Sequence, residues 1–221
     1  ELIAAAVETE KLSRVDLYGI GTNLTCFSFI QADEEKMERL AEMRKKVENA
    51  AGHTLEIVSG GNSAALDLMM RGGICEGVDN FRLGESLLFG KERSRYTFLP
   101  GTRNDGFILE CEVVEAKVKP SLPWGTAGVD SYGRKPVFTN RGEKRKKVIC
   151  AIGRQDFDAE TAMPVDEGIL ILGASSDHLM LDVTDSVKEY KVGDIVELRL
   201  GYFSVLRAFT SPYVEKIFLK K

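Results

Sequence analysis

The spacing of hydrophobic residues changes along the chain, from short apolar runs separated by helical stripes to a series of apolar runs alone. In the first part, most apolar runs are followed by a stretch with apolar residues at helical spacing. The pattern predicts helices at 1–14, 33–52 and 63–71, strands at 15–20, 54–59 and 78–82, and a short helix from Glu85. Because strands that alternate with helices pair in parallel through right-handed crossovers, we expect three successive β/α units.

The composition changes near Gly90, and the later part of the chain is rich in short apolar runs separated by turn residues. Runs of this kind predict a β domain. The predicted strands cover 107–119, 128–132, 137–139, 146–152, 169–173, 178–183, 194–202 and 213–219. The pattern therefore predicts two domains, with β/α units at 1–92 and a β domain at 93–221.

The bulk composition limits the classes of function. The hydrophobic fraction of 43% and the charged fraction of 29% are ordinary for a globular protein, and the net charge of −4 argues against a nucleic-acid partner. No apolar run is long enough to cross a bilayer, and the start of the chain lacks a signal peptide. The scattered cysteines and two histidines predict no metal site. We expect a cytoplasmic protein that binds a small molecule.

Two turns rich in glycine and serine follow the second and third predicted strands. Their sequences are Ser59-Gly-Gly-Asn-Ser63 and Phe81-Arg-Leu-Gly-Glu-Ser86. Each turn opens a helix, where free backbone N–H groups and the helix dipole favour an anion. One such turn is most often only a turn with a capping serine. Two in succession predict a phosphate bound between neighbouring loops, as at the carboxyl face of (β/α)8 barrels.

The order of these motifs resembles that of the alanine racemase-like family, the barrel-type enzymes that use pyridoxal 5'-phosphate. Asn62-Ser63 resembles the phosphate motif of the family, and Arg82-Leu-Gly84 with Leu88-Phe-Gly90 resembles its Arg-x-Gly…Leu-Tyr-Gly motif. Ser131-Tyr-Gly133 and Gly173 with Asp177 resemble two segments of its β domain. The sequence resembles the ornithine racemase-like branch more closely, through motifs between residues 16 and 217 that include Gly19-Ile-Gly-Thr-Asn-Leu24, Ala151-Ile-Gly-Arg-Gln-Asp156, Leu172-Gly-Ala-Ser-Ser-Asp-His178 and Thr210-Ser-Pro-Tyr-Val214.

The resemblance implies a fold of class α/β plus all-β: the carboxyl-terminal part of a (β/α)8 pyridoxal phosphate barrel, followed by a β-rich barrel or sandwich domain. It implies an isomerase, a homodimer with shared active sites that racemises ornithine, alanine or another small or basic amino acid. A pyridoxal phosphate-dependent decarboxylase of the same fold and a non-enzymatic pyridoxal phosphate-binding protein stay open. Arg82 argues against the decarboxylase, whose relatives place an acid at the pyridine nitrogen.

The same resemblance assigns residues to the cofactor. It implies that the Ser63 hydroxyl and the backbone of Gly84 and Glu85 hold the phosphate, and that Arg82 lies at the pyridine nitrogen. A carboxylate would repel a phosphate, so we expect Glu85 to contribute only its backbone. Asn23 and Tyr213 complete the predicted cofactor site; Tyr213 would substitute for the tyrosine that the family pattern places at Pro212.

Racemisation needs a base on each face of the substrate Cα. The resemblance implies that one base is a cofactor-bound lysine and that the other is Tyr132, which acts across the dimer. Tyr132 is otherwise an aromatic residue in a hairpin, and Asp130 or Asp177 could substitute as the base. Ser176, Asp130 and His178 are predicted to contact the substrate, although a single strand histidine is more often structural.

The family lysine lies on the first barrel strand, and no lysine in this sequence occupies a matching place. Lys11 falls in the opening helix, and Lys117 and Lys119 fall beyond the barrel part. The first helix also begins without a capping residue or an initiating Met. We therefore expect the chain to be the carboxyl-terminal portion of a longer protein, with the catalytic lysine upstream.

Overall fold

The computed structural model describes residues 1–129 and 133–220, which form two compact units, Glu1–Asn104 and Asp105–Lys221. Residues 93–104, which the composition assigns to the β domain, belong to the first unit. The reason is a set of backbone bonds that fold this segment back on itself: Leu99 N–H donates to the Gly90 carbonyl at 2.8 Å, and Glu92 N–H donates to the Thr97 carbonyl at 2.8 Å. Among the described residues, no helix combines the length and apolar composition needed to cross a bilayer.

The first unit alternates helices with short parallel strands. Its elements are α1 (Leu2–Glu10), β1 (Gly19–Gly21), α2 (Glu34–Ala51), β2 (Ile57–Asn62), α3 (Leu66–Met70), β3 (Asn80–Arg82) and α4 (Glu85–Phe89), with a 3-10 turn Ser63–Ala65 between β2 and α3. The strands pair in parallel in the order β1-β2-β3. The predicted β/α order is confirmed, although each strand begins later along the chain than predicted.

The long helix α2 packs against this sheet and forms the core of the unit. Asp33 caps its start by accepting a hydrogen bond from Lys36 N–H, and Gly52 ends it in the left-handed region at φ 82°. Its buried face, which includes Met37 and Val47, belongs to the same cluster as Val58 of β2. Apolar side chains therefore pack α2 against the sheet, and polar side chains lie at the strand ends.

The second unit is an antiparallel sheet with one helix after it. Its elements are β4 (Ile108–Lys119), β5 (Arg145–Cys150), β6 (Ala162–Pro164), β7 (Leu170–Ala174), β8 (Leu179–Asp182), β9 (Ile195–Leu200) and α5 (Tyr202–Thr210). The strand order is β6-β9-β4-β5-β8-β7. Alternate residues of the strands point into one core, as Leu109, Cys111 and Val113 do in β4.

The second unit differs from its predicted strands at several places. Residues 137–139 and 213–219 form no strand, and neither do 128 and 129, the described part of the predicted strand 128–132. Helix α5 and strand β6 were not predicted. The aromatic and β-branched residues from Tyr202 onward favour a strand, but Ser204 and Ala208, four residues apart, are both buried on one helical face. The buried Ser204 hydroxyl donates to the Asp158 carbonyl at 2.6 Å.

Candidate functional site

The parallel strands bring three loops to the same edge of the sheet. Gly21 lies beside Ser59, and Asn62 lies beside Arg82, in the paired registers of β1, β2 and β3. The carboxyl ends of parallel strands meet at one edge, which is where open α/β sheets bind ligands. The loops that follow Gly21, Asn62 and Arg82 are therefore neighbours, and all the predicted cofactor residues except Tyr213 lie on or next to them.

Ser63 is the centre of a cluster of hydrogen-bond donors. Its buried hydroxyl oxygen lies 3.1 Å from the Ser86 hydroxyl, 3.2 Å from Ser86 N–H and 3.4 Å from Gly84 N–H. The structure therefore brings Ser63 and Gly84 together as predicted. Ser86 joins them at the Ser63 oxygen through its hydroxyl and its N–H. Ser86 was missed as a contributor, although it closes the same sequence motif.

Arg82 crosses the ends of all three strands. Its Nη2 donates to the Thr22 carbonyl at 2.8 Å, and its Nη1 donates to the Ser59 hydroxyl at 2.5 Å. A Cβ on Gly21 would stand 3.0 Å from the Ser59 side chain, so glycine allows the close approach of β1 to Ser59, the residue that Arg82 contacts. These two bonds fix an exposed, permanently charged donor at the edge of the sheet. Ser59 is a second contributor that sequence reasoning missed.

Asn23 is held in this cluster through Asn62. The Asn62 amide nitrogen donates to Asn23 Oδ1 at 2.6 Å and to the Leu24 carbonyl at 3.1 Å, while Asn62 Oδ1 accepts from Ala64 N–H at 2.8 Å. Asn62 thus joins the loop after β1 to the loop after β2. The Asn23 side-chain oxygen is occupied by this bond, which gives Asn23 a part in positioning the loop.

The Glu85 carboxylate is directed to a cation on the next turn. Its Oε2 lies 3.6 Å from Arg93 Nε, and the side chain is only 12% exposed. Glu85 stands in the first turn of α4, beside the backbone donors that reach Ser63. The negative charge next to the donor cluster is therefore paired.

A second polar cluster lies in the β domain, on the loop between β7 and β8. Asp177 Oδ1 lies 3.0 Å from His178 Nδ1 and accepts from the Ser176 hydroxyl at 3.1 Å. The hydrogen bond with His178, reinforced by serine hydroxyls, lowers the pKa of Asp177. The structure thus brings together Ser176, Asp177 and His178, which the sequence predicts at the substrate.

Backbone bonds from the segment after β5 fix this loop. Arg154 N–H donates to the Ser175 carbonyl at 2.8 Å, and Gln155 N–H donates to the Ser176 carbonyl at 3.0 Å. A Cβ on Gly153 would stand 2.2 Å from the Asp177 backbone nitrogen, so only glycine permits this approach. Two of the motifs that resemble the ornithine racemase-like branch, 151–156 and 172–178, are therefore in direct contact.

The remaining predicted residues lie apart from these clusters or beyond the described residues. Tyr213 has an exposed side chain, and its N–H donates to the Ser211 hydroxyl at 3.1 Å. The Ser211 hydroxyl donates in turn to the buried Asp156 at 2.7 Å. Asp130 and Tyr132 lie outside the described residues. Within residues 1–129 and 133–220, His, Cys, Asp and Glu side chains form no group suited to a metal ion.

Comparison with known proteins finds amino acid racemases that are similar to this chain. No family model matches the sequence. The chain is 46% identical over 209 residues to an ornithine racemase of Acetoanaerobium sticklandii, covering 95% of this chain and 59% of that protein. It is 42% identical over 214 residues to a lysine racemase of Thermotoga maritima, covering 97% of this chain and 60% of that protein. The chain thus spans about three fifths of the length of these relatives.

Solved structures agree on the fold. An alanine racemase from Bartonella henselae with covalently bound pyridoxal phosphate matches with a TM-score of 0.54 and 17% identity, over 88% of this chain and 51% of that one. An alanine racemase of Clostridium difficile 630 in complex with cycloserine matches with a TM-score of 0.52 and 21% identity, over 94% of this chain and 55% of that one. The fold is that of the alanine racemases, and the predicted fold class is confirmed. In sequence the chain is similar to ornithine and lysine racemases, and in fold it is similar to alanine racemases.

Proposed function

We propose that the chain is the carboxyl-terminal portion of a pyridoxal phosphate-dependent amino acid racemase that acts on a basic amino acid such as ornithine or lysine. The proposal rests above all on the 46% identity to an ornithine racemase across 95% of the chain. The 42% identity to a lysine racemase favours a basic amino acid over alanine. The proposed enzyme is a cytoplasmic homodimer with shared active sites.

The donor cluster around Ser63 fits the phosphate of this cofactor. The Ser86 hydroxyl and the backbone N–H groups of Gly84 and Ser86 lie within 3.4 Å of the Ser63 hydroxyl oxygen. A phosphate dianion carries only acceptor oxygens, and this set offers donors from a hydroxyl pair and a helix start. Ser63, Ser86 and the backbone of Gly84 would hold the phosphate. Asn62 and Asn23 would keep the first two loops in register.

Arg82 would donate to the pyridine nitrogen, because a guanidinium has donors and no acceptor. Pyridoxal phosphate, when bound, supplies the electron sink that makes the substrate Cα proton acidic. An arginine at the ring nitrogen keeps that nitrogen free of a proton and moderates the sink. The bonds of Arg82 to Thr22 and Ser59 hold the guanidinium for this role. The arrangement favours proton exchange at Cα over decarboxylation or transamination.

The Asp177 loop supports a substrate-binding role better than a catalytic one. Because the pKa of Asp177 is lowered, its carboxylate stays ionised at neutral pH and is a weak base. It would attract a cationic group of the substrate, with Ser176 and His178 fixing its orientation. Tyr132 therefore stays our candidate for the second base, on the resemblance alone. Tyr213 stays a candidate cofactor contact on the same ground.

We assign the first base to a lysine in the part of the protein outside this chain. The decisive experiment uses the complete protein: loading with pyridoxal phosphate, borohydride reduction, and peptide mapping of the adduct. We expect one modified lysine upstream of Glu1, together with conversion of L- to D-ornithine or lysine on a chiral column. A specific adduct on Lys11, Lys117 or Lys119 would contradict the assignment.

The same preparation separates the alternatives. Release of CO2 without formation of the D-enantiomer would favour the decarboxylase. Tight cofactor binding with neither product, across ornithine, lysine and alanine, would favour a non-enzymatic pyridoxal phosphate-binding protein.

A further inference from the structure

Both short helices that border the proposed phosphate site carry a carboxylate in their first turn. Asp67 stands in the first turn of α3 and Glu85 in the first turn of α4. The loops before these helices carry Ser63 and Gly84, which would hold the phosphate. A carboxylate near a phosphate dianion weakens its binding by charge repulsion. The site therefore needs a source of compensating positive charge.

A single turn, residues 91–98, supplies cations to both carboxylates. We call it the arginine turn. Arg93 Nε lies 3.6 Å from Glu85 Oε2, and Arg95 Nη2 lies 3.3 Å from Asp67 Oδ2. Arg93 and Arg95, two positions apart in this turn, thus form ion pairs with the first turns of two different helices. These two ion pairs connect the arginine turn to both helices that start at the proposed phosphate site.

Internal bonds fix the shape of the arginine turn. The Glu92 side chain is buried, and its carboxylate accepts from Ser94 N–H at 2.5 Å and from Arg95 N–H at 2.8 Å. Tyr96 adopts a left-handed φ of 59°, and its ring lies 5.6 Å from the Arg93 guanidinium carbon and 4.2 Å from Lys91 Nζ. The backbone of the turn is therefore fixed, and the Arg93 side chain lies against the Tyr96 ring.

We propose that the arginine turn is a charge-compensating element of the cofactor site and that Arg93 is a positioning residue for binding of the phosphate. Arg93 neutralises Glu85 and keeps its carboxylate away from the incoming dianion. Arg95 has a smaller part, because Asp67 is also paired with Arg71 at 3.0 Å. The inference rests on the proposed function, since it assumes that the ligand of the donor cluster is the phosphate of pyridoxal phosphate.

The test measures equilibrium binding of pyridoxal phosphate to the cofactor-free complete protein by absorbance titration. We expect Arg93→Gln to weaken binding roughly tenfold, because Glu85 is then left as an unpaired charge beside the dianion. Arg95→Gln is the matched control: it removes the same charge from the same turn, and we expect a change below about twofold because Arg71 remains. The double variant Glu85→Gln/Arg93→Gln should restore binding to within about twofold of the wild type.

Pyridoxal, which lacks the phosphate, separates charge compensation from general damage. Its affinity should be the same in the wild type and in Arg93→Gln, and an equal loss for both ligands would overturn the proposal. Double-variant binding as weak as that of Arg93→Gln would also overturn it, since Arg93 would then contact the ligand itself.

The single variant Glu85→Gln keeps the proposal testable if Arg93→Gln fails to fold. It removes the repelling charge and leaves Arg93 in place, so pyridoxal phosphate should bind as tightly as in the wild type or more tightly. Weaker binding in Glu85→Gln would overturn the proposal. A wild-type complete protein that binds no pyridoxal phosphate would instead overturn the proposed function, and the inference with it.

Discussion

The two units of the chain use polar residues in opposite ways. In the first unit, polar side chains gather at the strand ends, where Ser63, Arg82 and Asn62 bond across neighbouring loops. In the second unit, the sheet buries apolar side chains at alternate positions, and the buried Asp182 is paired with Arg145 inside the same sheet. The parallel strands of the first unit bring their loops together at one edge, whereas the antiparallel strands of the second unit bury alternate side chains in one core. Substitutions should therefore affect folding in the second unit and ligand binding in the first.

The largest expected effect is in the core of the second unit. Leu181 of β8 is fully buried, and Leu181→Ala should lower the free energy of unfolding by about 2–5 kcal/mol through lost burial and a cavity. Urea denaturation measures the change. Leu172→Ala on the neighbouring strand β7 is the matched control, since that side chain is 45% exposed and should cost less than about 1 kcal/mol. Equal losses at the two positions would show that β8 does not form the centre of this core.

Arg82→Gln tests the expectation that a substitution at the strand ends of the first unit affects ligand binding more than folding. On the proposed function, loss of the charged donor at the pyridine nitrogen should lower kcat/KM for racemisation by roughly 10- to 100-fold in the complete protein. The midpoint of thermal unfolding should change little, because Arg82 is exposed. Arg39→Gln on an exposed position of α2 removes the same charge and should leave kcat/KM unchanged. Unchanged activity in Arg82→Gln would refute the placement of the guanidinium at the cofactor.

Local sequence signals explain which elements of the two units could be predicted. Helix α2 was predicted closely, because Asp33 and Gly52 mark its ends and its apolar stripe is regular. The two loops of the Ser63 donor cluster were predicted from glycine and serine at strand ends. Helix α5 was not, because its aromatic residues favour a strand and the Ser204 bond to Asp158 that buries its face is tertiary.

The side-chain contacts within the candidate site could not be predicted from local sequence patterns either. The contact of Arg82 with Ser59 spans two β/α units, and it depends on the register of β2 with β3. The Glu85–Arg93 pair depends on a turn held by the buried Glu92, whose burial no local pattern marks. The sequence thus indicated which loops carry the candidate site, and the folded chain was needed to show how their side chains pair.

Acid should lower the stability of the second unit through protonation of Asp182. Burial alone would raise its pKa, but hydrogen bonds from Arg145 and Thr184 outweigh burial and hold the pKa below the usual range. Its contribution to stability is therefore present above the ordinary carboxyl pKa of about 4 and is lost as the pH falls through the lowered value. Asp182→Asn should flatten the fall in stability at acid pH, measured by urea denaturation at each pH.

Asp185→Asn is the control for the acid experiment. Asp185 also accepts from Arg145, at 2.7 Å, but its side chain is 68% exposed. We expect its substitution to leave the acid slope close to that of the wild type. A slope that flattens equally in both variants would mean that the buried position of Asp182 has no special part in acid stability.

The smallest expected effect is a pH dependence of opposite sign in the first unit. The hydrogen bond with Glu10, aided by the Thr54 carbonyl, raises the pKa of His53. The protonated pair therefore stabilises the fold below the ordinary histidine pKa of about 6.5, and this contribution is lost as the pH rises through the raised value. Both side chains are partly exposed, so the change should be small and should decrease with added salt. Glu10→Gln should abolish it in unfolding measurements across neutral pH. If the wild-type stability instead rose with pH over this range, and Glu10→Gln removed that rise, the predicted direction of the His53 effect would be wrong.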